Sequence, residues 1–318
     1  GRKKRISFII ILATVLFLSA CGGGSGADDR LFLTIATGGQ SGVYYPLGAS
    51  LGKLYETELG AKSSVQATGA SVENINLLDQ KRAEMAIIMG DAASQAYEGT
   101  GPFDKKVQSF AAVASLYPNY VQVITTKDSG IETIEDLKGK RVGVGAPNSG
   151  VELNARAILE AHGMSYDDFE EDFLSYSEAI DGIKNGTVDA AFVTSGIPNP
   201  AVTDLSTTHE VKVIPIEGEG MKKLKELYPY YAENTIPKGT YGNKEDVPTA
   251  SIMNLLVVQR DLEEETVYRL TKTMFENLDK IHNAHNAAKA IKLETAKDSV
   301  PVPFHPGAEK YFKEAGVE

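Results

Sequence analysis

The chain has one cysteine and no tryptophan among its 318 residues. A single cysteine excludes both an internal disulfide framework and a metal cluster held by several cysteines. Basic residues are also scarce, because 32 Lys and Arg stand against 43 Asp and Glu, giving a net charge of −11. Nucleic-acid-binding proteins usually carry a basic excess, so we expect no nucleic-acid partner.

The composition is otherwise that of a folded protein. Hydrophobic residues make up 42% of the chain and charged residues 24%, which is typical of a globular protein with a buried core. The length exceeds what one small core needs and suits two domains.

The first residues predict export. Four basic residues at positions 2–5 precede an apolar run at 6–18, which is shorter than the roughly 20 residues of a membrane-spanning helix. Leu18, Ser19, Ala20 and Cys21 resemble a bacterial lipobox, in which the cysteine is acylated and becomes the new N-terminus. We therefore predict a lipoprotein signal peptide at 1–20 and a lipidated, Gly-rich flexible tether at 21–30. The alternative is an ordinary signal peptide with an incidental cysteine.

This N-terminal pattern also predicts where the protein resides. Lipid chains such as palmitate on Cys21 would hold it on the extracytoplasmic side of the cell membrane, since more than one acyl chain gives stable anchoring. Cleavage after residue 20 would remove four basic residues and no acidic one, which lowers the net charge to −15.

From residue 31 onward, β-rich runs alternate with amphipathic runs, which favours an α/β fold. In the first part we predict strands at 31–36, 85–89, 110–115 and 120–126 and helices at 72–81 and 92–97. A second unit begins near residue 127, and a buried strand at 251–258 with a long helix at 262–282 returns to the first unit. The predicted division is lobe 1 at 31–126 plus 250–318 and lobe 2 at 127–249.

Motifs of catalysis and cofactor binding are missing. Gly143 and Gly145 follow a strand, but Asn148 stands where a dinucleotide fingerprint requires its third glycine. Neither a G-x-S-x-G elbow nor a phosphate-binding P-loop occurs, and the five histidines have no neighbouring ligands that would complete a metal site. The sequence therefore predicts a protein that is not an enzyme and needs no cofactor or metal.

Three loops rich in glycine and hydroxyl groups predict a ligand cleft. They occupy residues 38–46, 68–74 and 145–150, each between a predicted strand and a predicted helix, and Ser71 is the predicted N-cap of the helix that follows it. Ligands of open α/β sheets bind at the carboxyl ends of the strands. Glycine N–H groups and helix N-termini favour an anion there.

The same loops carry a family resemblance. Residues 37–46, 67–74, 116–120, 134–150 and 191–198 are similar, in this order, to the TAXI family, the solute-binding proteins of tripartite ATP-independent periplasmic (TRAP) transporters. The resemblance implies a type II periplasmic-binding-protein fold, in which two hinged lobes close over an organic anion or amino acid. Glutamate, glutamine and 2-oxoglutarate are the kind of ligand it implies, and a TRAP permease in the membrane is the implied partner.

Carried over to matching positions, the resemblance implies a set of ligand-binding residues. They are Gly39, Ser41, Gly42, Tyr44, Thr68, Gly69, Ser71, Asn74, Asp91, Tyr117, Pro147, Asn148, Ser149, Gly150, Thr194 and Ser195. Asp91 would either accept hydrogen bonds from a ligand amine or cap a helix. Because these loops contain no arginine, a carboxylate would be held by helix N-termini and hydroxyl groups, and Arg156 is expected at the surface.

Other functions use the same residues. The protein could serve an ABC importer or a sensor kinase as its solute-binding module, or it could be a secreted hydrolase with Ser149 or Ser71 as nucleophile. We expect a monomer.

Overall fold

The computed structural model describes residues 30–318. The predicted signal peptide, Cys21 and most of the predicted tether lie outside the described residues. Residues Leu31–Glu318 form one compact unit. Across the described part of the chain, no helix has the length and apolar character needed to cross a membrane.

Strands and helices alternate along most of the chain. The strands are β1 (Phe32–Ala36), β2 (Lys62–Gln66), β3 (Met85–Met89), β4 (Phe110–Thr126), β5 (Arg141–Gly143), β6 (Glu170–Asp172), β7 (Ala190–Ser195), β8 (Val211–Ile214), β9 (Ala232–Ile236) and β10 (Val247–Gln259). The helices are α1 (Tyr44–Leu59), α2 (Ser71–Asp79), α3 (Gly90–Glu98), α4 (Gly150–Ala161), α5 (Tyr176–Asn185), α6 (Pro200–Ser206), α7 (Gly218–Leu227), α8 (Glu264–Phe275), α9 (Leu278–His282) and α10 (Pro306–Ala315). The predicted α/β class is confirmed.

The strands form a mixed sheet with the order β2-β1-β3-β10-β4-β7-β5-β6, while β8 pairs with β4 and β9 with β10. Each end of the sheet is parallel, because β1 runs parallel to β2 and β3, and β5 runs parallel to β6 and β7. The centre is antiparallel, where β10 lies between β3 and β4. Two parallel units are therefore joined through two long antiparallel strands.

The long strand β4 corrects one prediction. Residues 110–115 and 120–126 were expected as two strands, but they belong to one strand of 17 residues. Pro118 and Asn119 continue the pairing with β10 opposite Met253 and Ile252, and the register shifts between Met253 and Leu255. This irregularity lets the strand pass through a proline, which cannot donate a hydrogen bond to the ladder.

The predicted long helix at 262–282 is also wrong. The segment forms two helices, α8 and α9, with Asn277 between them at φ −132° and ψ 33°. The Asn277 amide donates to the Thr273 carbonyl at 2.8 Å, so the side chain competes with the backbone for this carbonyl. Asparagine commonly ends helices in this way.

The sheet divides the buried core into separate clusters on its two faces. Alternate residues of β3 belong to different hydrophobic clusters. Met85 and Ile87 pack with residues of α1, whereas Ala86 and Ile88 pack with residues of α2. Alternate residues of β7 likewise divide, with Phe192 on one side and Val193 on the other. Since successive strand residues face opposite sides, helices cover both faces of the sheet in each half. The lobe boundaries at 126/127 and 249/250 stay a prediction, the second of them falling inside β10.

Candidate functional site

A cleft lies where the parallel strands end. The cleft is enclosed by the loops that follow β1, β2, β5 and β6, by the end of β7, and by Met89 and Asn119. The enclosed space, counted together with the open mouth, is about 580 Å³. The cleft is lined by Gly38, Gly39, Gly42, Val43, Tyr44, Thr68, Gly69, Ala70, Met89, Asn119, Ala146, Ser149, Val151, Ser175, Tyr176, Thr194 and Ser195. None of these side chains carries a charge.

Four helices begin at this cleft. The residues immediately before α1, α2, α4 and α5 are Val43, Ala70, Ser149 and Ser175, and all of them line it. Ser149 and Ser175 cap their helices by accepting from backbone N–H groups at 3.2 and 3.3 Å. The N-terminal end of a helix carries a partial positive charge. The helix N-termini therefore give the cleft partial positive charge, although no cationic side chain lines it.

A buried amide network forms the wall beside α1. The Tyr44 hydroxyl donates to Asn254 Oδ1, and Asn254 Nδ2 donates to Asn119 Oδ1 at 2.6 Å and to the Tyr117 carbonyl at 3.0 Å. Burial raises the pKa of Tyr44 well above its usual value, so its hydroxyl stays protonated and keeps donating. The network fixes the orientations of Tyr44 and Asn119 at the surface of the cleft.

A second network holds the loop after β2. Thr68 Oγ1 accepts from the Ala70 N–H at 2.9 Å and donates to Asn74 Oδ1 at 2.5 Å. The Asn74 amide in turn donates to the carbonyls of Thr37 at 2.7 Å and Ile87 at 2.9 Å. Asn74 is fully buried and ties the loop to the ends of β1 and β3. Thr68 is thus held in place before any ligand arrives.

Two buried hydroxyl groups at the cleft have no hydrogen-bond partner within residues 30–318. They are Thr194 Oγ1 and the Tyr117 hydroxyl. Thr194 lines the cleft, and Tyr117 lies close enough to Tyr44 and Tyr176 for their hydroxyls to interact electrostatically. Buried polar groups are nearly always satisfied in folded proteins. Thr194 therefore offers a free hydroxyl at the lining of the cleft, and Tyr117 offers one in the wall behind it.

The loops from the two parallel units touch at the mouth of the cleft. The Glu73 N–H donates to the Asn148 carbonyl at 3.1 Å, and Asn148 adopts a left-handed conformation with φ +60°. A Cβ atom at position 69 would lie only 2.7 Å from the Pro147 carbonyl oxygen. Gly69 is thus the residue type that permits this approach.

The structure brings together only some of the predicted site residues. Those that line the cleft are Gly39, Gly42, Tyr44, Thr68, Gly69, Ser149, Thr194 and Ser195. Ser71, Asn74 and Tyr117 are buried in the wall behind it, whereas Pro147, Asn148 and Gly150 belong to the contact between the loops and Ser41 lies in the turn before α1. Ligand binding by any of them stays a prediction.

Two local predictions are corrected. Ser71 is not the N-cap of α2, because the cap position is Ala70, and Ser71 Oγ instead accepts from the Met89 N–H at 3.0 Å. Asp91 does not line the cleft, and the cap of α3 is Met89 and not Asp91; ligand binding by Asp91 stays a prediction. It is 1% exposed and lines a second cavity with Gln95 and Tyr231. Arg156 lies at the surface, as expected, with its side chain 61% exposed.

Sequence reasoning missed several lining residues. Ser175 forms a capping box with Glu178, and this S-x-x-E spacing is visible in the sequence. Tyr176 donates to the Thr194 carbonyl at 2.6 Å, a contact over sequence distance that no local pattern indicates. Asn119 lies in the segment 116–120, which carries the family resemblance, but it was not among the residues assigned to the ligand.

The family is established by the sequence. The model of the NMT1-like family matches residues 35–316, nearly the whole described chain. The chain belongs to the NMT1-like family.

Solved structures with a similar fold include PhnD1 from Prochlorococcus marinus in complex with methylphosphonate, at 14% identity and a TM-score of 0.57, covering 90% of this chain and 98% of that one. A Bordetella bronchiseptica RB50 protein matches at 18% identity and TM-score 0.55, covering 89% and 82% of the two chains. A putative L-cystine ABC transporter protein from Listeria monocytogenes matches at 16% identity and a TM-score of 0.51, covering 84% of this chain and 98% of that one. These likenesses confirm the two-lobed periplasmic-binding-protein fold.

Proposed function

We propose that this protein is an extracytoplasmic solute-binding protein that holds a small organic anion or amino acid in the cleft and delivers it to a membrane permease. The observation that carries the proposal is that four helix N-termini meet at one cleft, whose lining has no charged side chain and includes the Thr194 hydroxyl, which has no partner among the described residues. Such a cleft offers hydrogen-bond donors and partial positive charge, yet it holds no histidine, lysine or carboxylate for chemistry on the bound molecule. The hydrolase alternative gains no support, because Ser149 serves as a helix cap.

The proposed solute is an anion held by neutral donors. A carboxylate, sulfonate or phosphonate oxygen would accept from the Thr194 and Tyr117 hydroxyls and from backbone N–H groups of the glycine loop at 38–42. A glutamate-like solute would place its ammonium group among carbonyl and hydroxyl acceptors only, since no carboxylate lines the cleft. The lining thus supports a 2-oxo acid, dicarboxylate or related anion more strongly than an amino acid.

Binding would proceed by closure of two lobes, 31–126 with 250–318 and 127–249. Two contacts support this division, namely the hydrogen bond from Glu73 to Asn148 and the close approach of Gly69 to Pro147. They join loops from opposite sides of the cleft and would be lost when it opens. A bound solute that contacts both sides, such as Thr68 and Thr194, would favour the closed state by its differential affinity.

Two permease classes are candidates. The sequence motifs after β1, β2 and β5 support a TRAP permease, whereas the named transporter among the structural neighbours is an ABC system, and the comparisons favour this second class. Uptake of the solute into cells carrying the permease separates them. Depletion of ATP by arsenate would abolish ABC transport, and an ionophore that collapses ion gradients would abolish TRAP transport.

Attachment to the membrane would be through Cys21, which lies outside the described residues. A Cys21→Ala variant should appear in the soluble fraction of cells instead of the membrane fraction. Retention of that variant in the membrane would contradict lipid anchoring without affecting the binding proposal.

The binding proposal is tested by a thermal-shift screen of the purified full-length chain against 2-oxo acids, dicarboxylates, alkylphosphonates, alkylsulfonates and amino acids. A solute present at 100 times its Kd should stabilise the protein by about 2.7 kcal/mol. The absence of any stabilising solute in these classes would overturn the proposal.

Thr194→Val then tests the site itself. This substitution keeps the β-branched shape and removes only a hydroxyl that has no partner in the described structure, so affinity should fall about three- to tenfold with the melting temperature unchanged. Thr203→Val, at an exposed position on α6, is the matched control. Equal affinity in both variants would place the solute elsewhere.

A further inference from the structure

A second cavity lies between α3, α4 and the segment after α7. It is lined by Asp91, Gln95, Gly101, Pro102, Glu152, Leu153, Arg156, Ala157, Tyr228, Tyr230 and Tyr231, and none of these residues lines the cleft. We call it the tyrosine cavity. Its volume is about 440 Å³, which is large enough for a small organic molecule.

Asp91 places a buried carboxyl group in this cavity. Its oxygens accept from the Ala92 N–H and from Asn154 Nδ2, both at 2.8 Å, and it forms no ion pair with any described lysine, arginine or histidine. Burial raises the pKa of Asp91 from 3.8 to about 7, because no cation compensates the lost solvation. Near neutral pH this carboxyl group is therefore partly ionised and without a counter-charge.

Unused acceptor oxygens surround the same carboxyl group. Gln95 follows Asp91 by one turn of α3, and its Oε1 is buried without a hydrogen-bond partner among the described residues. Asn154 is fully buried and bonded to both Asp91 and the Tyr231 hydroxyl through Nδ2, while its Oδ1 also lacks a described partner. An occupant that brings hydrogen-bond donors would satisfy them.

Aromatic rings complete the wall. Tyr228, Tyr230 and Tyr231 pack against one another with ring centroids 5.6 to 6.4 Å apart. The faces of such rings attract cations, and the attraction strengthens where water is excluded.

The nearby arginine is engaged elsewhere. Arg156 Nε donates to Glu152 Oε1 at 2.5 Å, and its guanidinium lies over the Tyr166 ring at 4.6 Å from the centroid. Glu152 and Arg156 offset each other, which leaves Asp91 as the uncompensated charge of the cavity.

We propose that the tyrosine cavity is a binding site for a small organic cation, a primary ammonium compound whose charged group sits against Asp91 and whose alkyl part packs on the tyrosine rings. An ammonium group brings three N–H donors, which suit the Asp91 carboxylate and the unpartnered Gln95 oxygen, both of which belong to residues that line the cavity. The site is independent of the solute in the cleft.

The test is calorimetric titration of the purified full-length chain with n-butylammonium chloride at pH 8, against potassium chloride at equal ionic strength. We expect saturable binding of n-butylammonium, and at least tenfold weaker binding to Asp91→Asn. Thr194→Val in the cleft should bind n-butylammonium like the unaltered protein. Thermal denaturation of Asp91→Asn checks that it folds, and Gln95→Leu, which removes the carboxamide whose Oε1 has no partner among the described residues, should also weaken binding.

Binding should also depend on pH. The ionisable groups that face Asp91 are Tyr44, Tyr230 and Tyr231, whose pKa values are all raised, and the pair of Glu152 and Arg156 in the cavity wall. The tyrosines stay neutral between pH 6 and 8, so affinity should fall roughly tenfold from pH 8 to pH 6 as Asp91 takes up a proton. Absence of saturable binding at pH 8, or equal binding by Asp91→Asn, would overturn the proposal, even if the cleft binds its solute as expected.

Discussion

The cleft and the tyrosine cavity share one helix but differ in charge. At the N-terminal end of α4, the cap residue Ser149 and Val151 line the cleft. Further along the same helix, Leu153 and Ala157 line the tyrosine cavity. The helix end contributes partial positive charge from its N–H groups. The helix side instead faces the buried Asp91 carboxyl group. A single helix thus separates a surface that favours anions from one that favours cations. The net charge of the chain does not predict either preference.

The largest effect that distinguishes the tyrosine cavity from the cleft should appear in the stability of the protein as a function of pH. Because the pKa of Asp91 is raised to about 7 in the folded protein, the native state binds more protons than the unfolded state between about pH 4 and 7. Stability should therefore fall as pH rises through this window and level off above it. Asp91→Asn should remove this fall and stabilise the protein at pH 8 by an amount on the order of a few kcal/mol. Urea denaturation at pH 5, 6, 7 and 8 measures it.

The exposed Asp128→Asn is the control for that series and should keep the slope of the unaltered protein. A slope that survives in Asp91→Asn would mean that the carboxyl group is solvated.

Gly69→Ala should weaken the cleft and leave the tyrosine cavity intact. The added Cβ would lie 2.7 Å from the Pro147 carbonyl oxygen and 2.8 Å from Glu73 Oε2, so the two loops would have to separate by a few tenths of an ångström. Overpacking of this kind costs about 1 to 3 kcal/mol. Solute affinity should fall at least tenfold, measured by calorimetry, and amide exchange at Glu73 should accelerate. Unchanged exchange at Glu73 would show that this contact tolerates the extra atom.

Tyr117→Phe should separate binding from stability. The Tyr117 hydroxyl is buried and unpartnered within the described residues, so its removal should leave the solute-free protein equally stable or slightly more stable. Solute affinity should fall by about 1 kcal/mol, or fivefold. Tyr55→Phe is the matched comparison, because the Tyr55 hydroxyl donates to the Leu270 carbonyl at 3.0 Å and its loss should destabilise the protein without changing affinity. Chemical denaturation and calorimetry of both variants decide this.

The smallest effect is expected outside both cavities, at Arg141 and Asp189. Their bidentate pair has N–O distances of 3.0 and 3.1 Å but is partly exposed. Arg141 lowers the pKa of Asp189, so its contribution is present at neutral pH and is lost as the pH falls through the folded pKa, opposite in sign to Asp91. Asp189→Asn should cost less than about 1 kcal/mol at pH 7, measured by urea denaturation. A larger loss would mean that exposure does not screen the pair.

Local sequence patterns predicted which loops form the cleft better than they predicted the contacts of single side chains. Glycine and hydroxyl residues at 38–46, 68–74 and 145–150 follow strands, where ligands of α/β sheets bind. The sequence did not show that β1 and β5 run in opposite directions, so that the loops meet only because both parallel units end near the middle of β4. Ser71 was assigned as a cap from its type and position alone. Its side chain turns instead to the end of β3, a partner that only the folded chain supplies.

The tyrosine cavity could not be predicted from the sequence. It is assembled from residues near 91–102, 152–157 and 228–231, and no local pattern indicates that these segments meet. The same holds for β4, because the sequence predicted separate strands at 110–115 and 120–126, and only the irregular pairing with β10 shows that the chain continues through Pro118 as one strand.

The two long strands also determine how the molecule can deform. Every route from one parallel unit to the other through the sheet crosses β10 and β4, which are hydrogen-bonded to each other from Phe110 to Tyr120. Their ladder resists sliding, because sliding would break many hydrogen bonds together, whereas twisting is shared among small dihedral changes at the irregular positions near Met253 and Leu256. We therefore expect opening of the cleft to be a rotation about these two strands, and because Tyr117 and Asn119 belong to the same paired stretch of β4, this rotation would be coupled directly to the solute site.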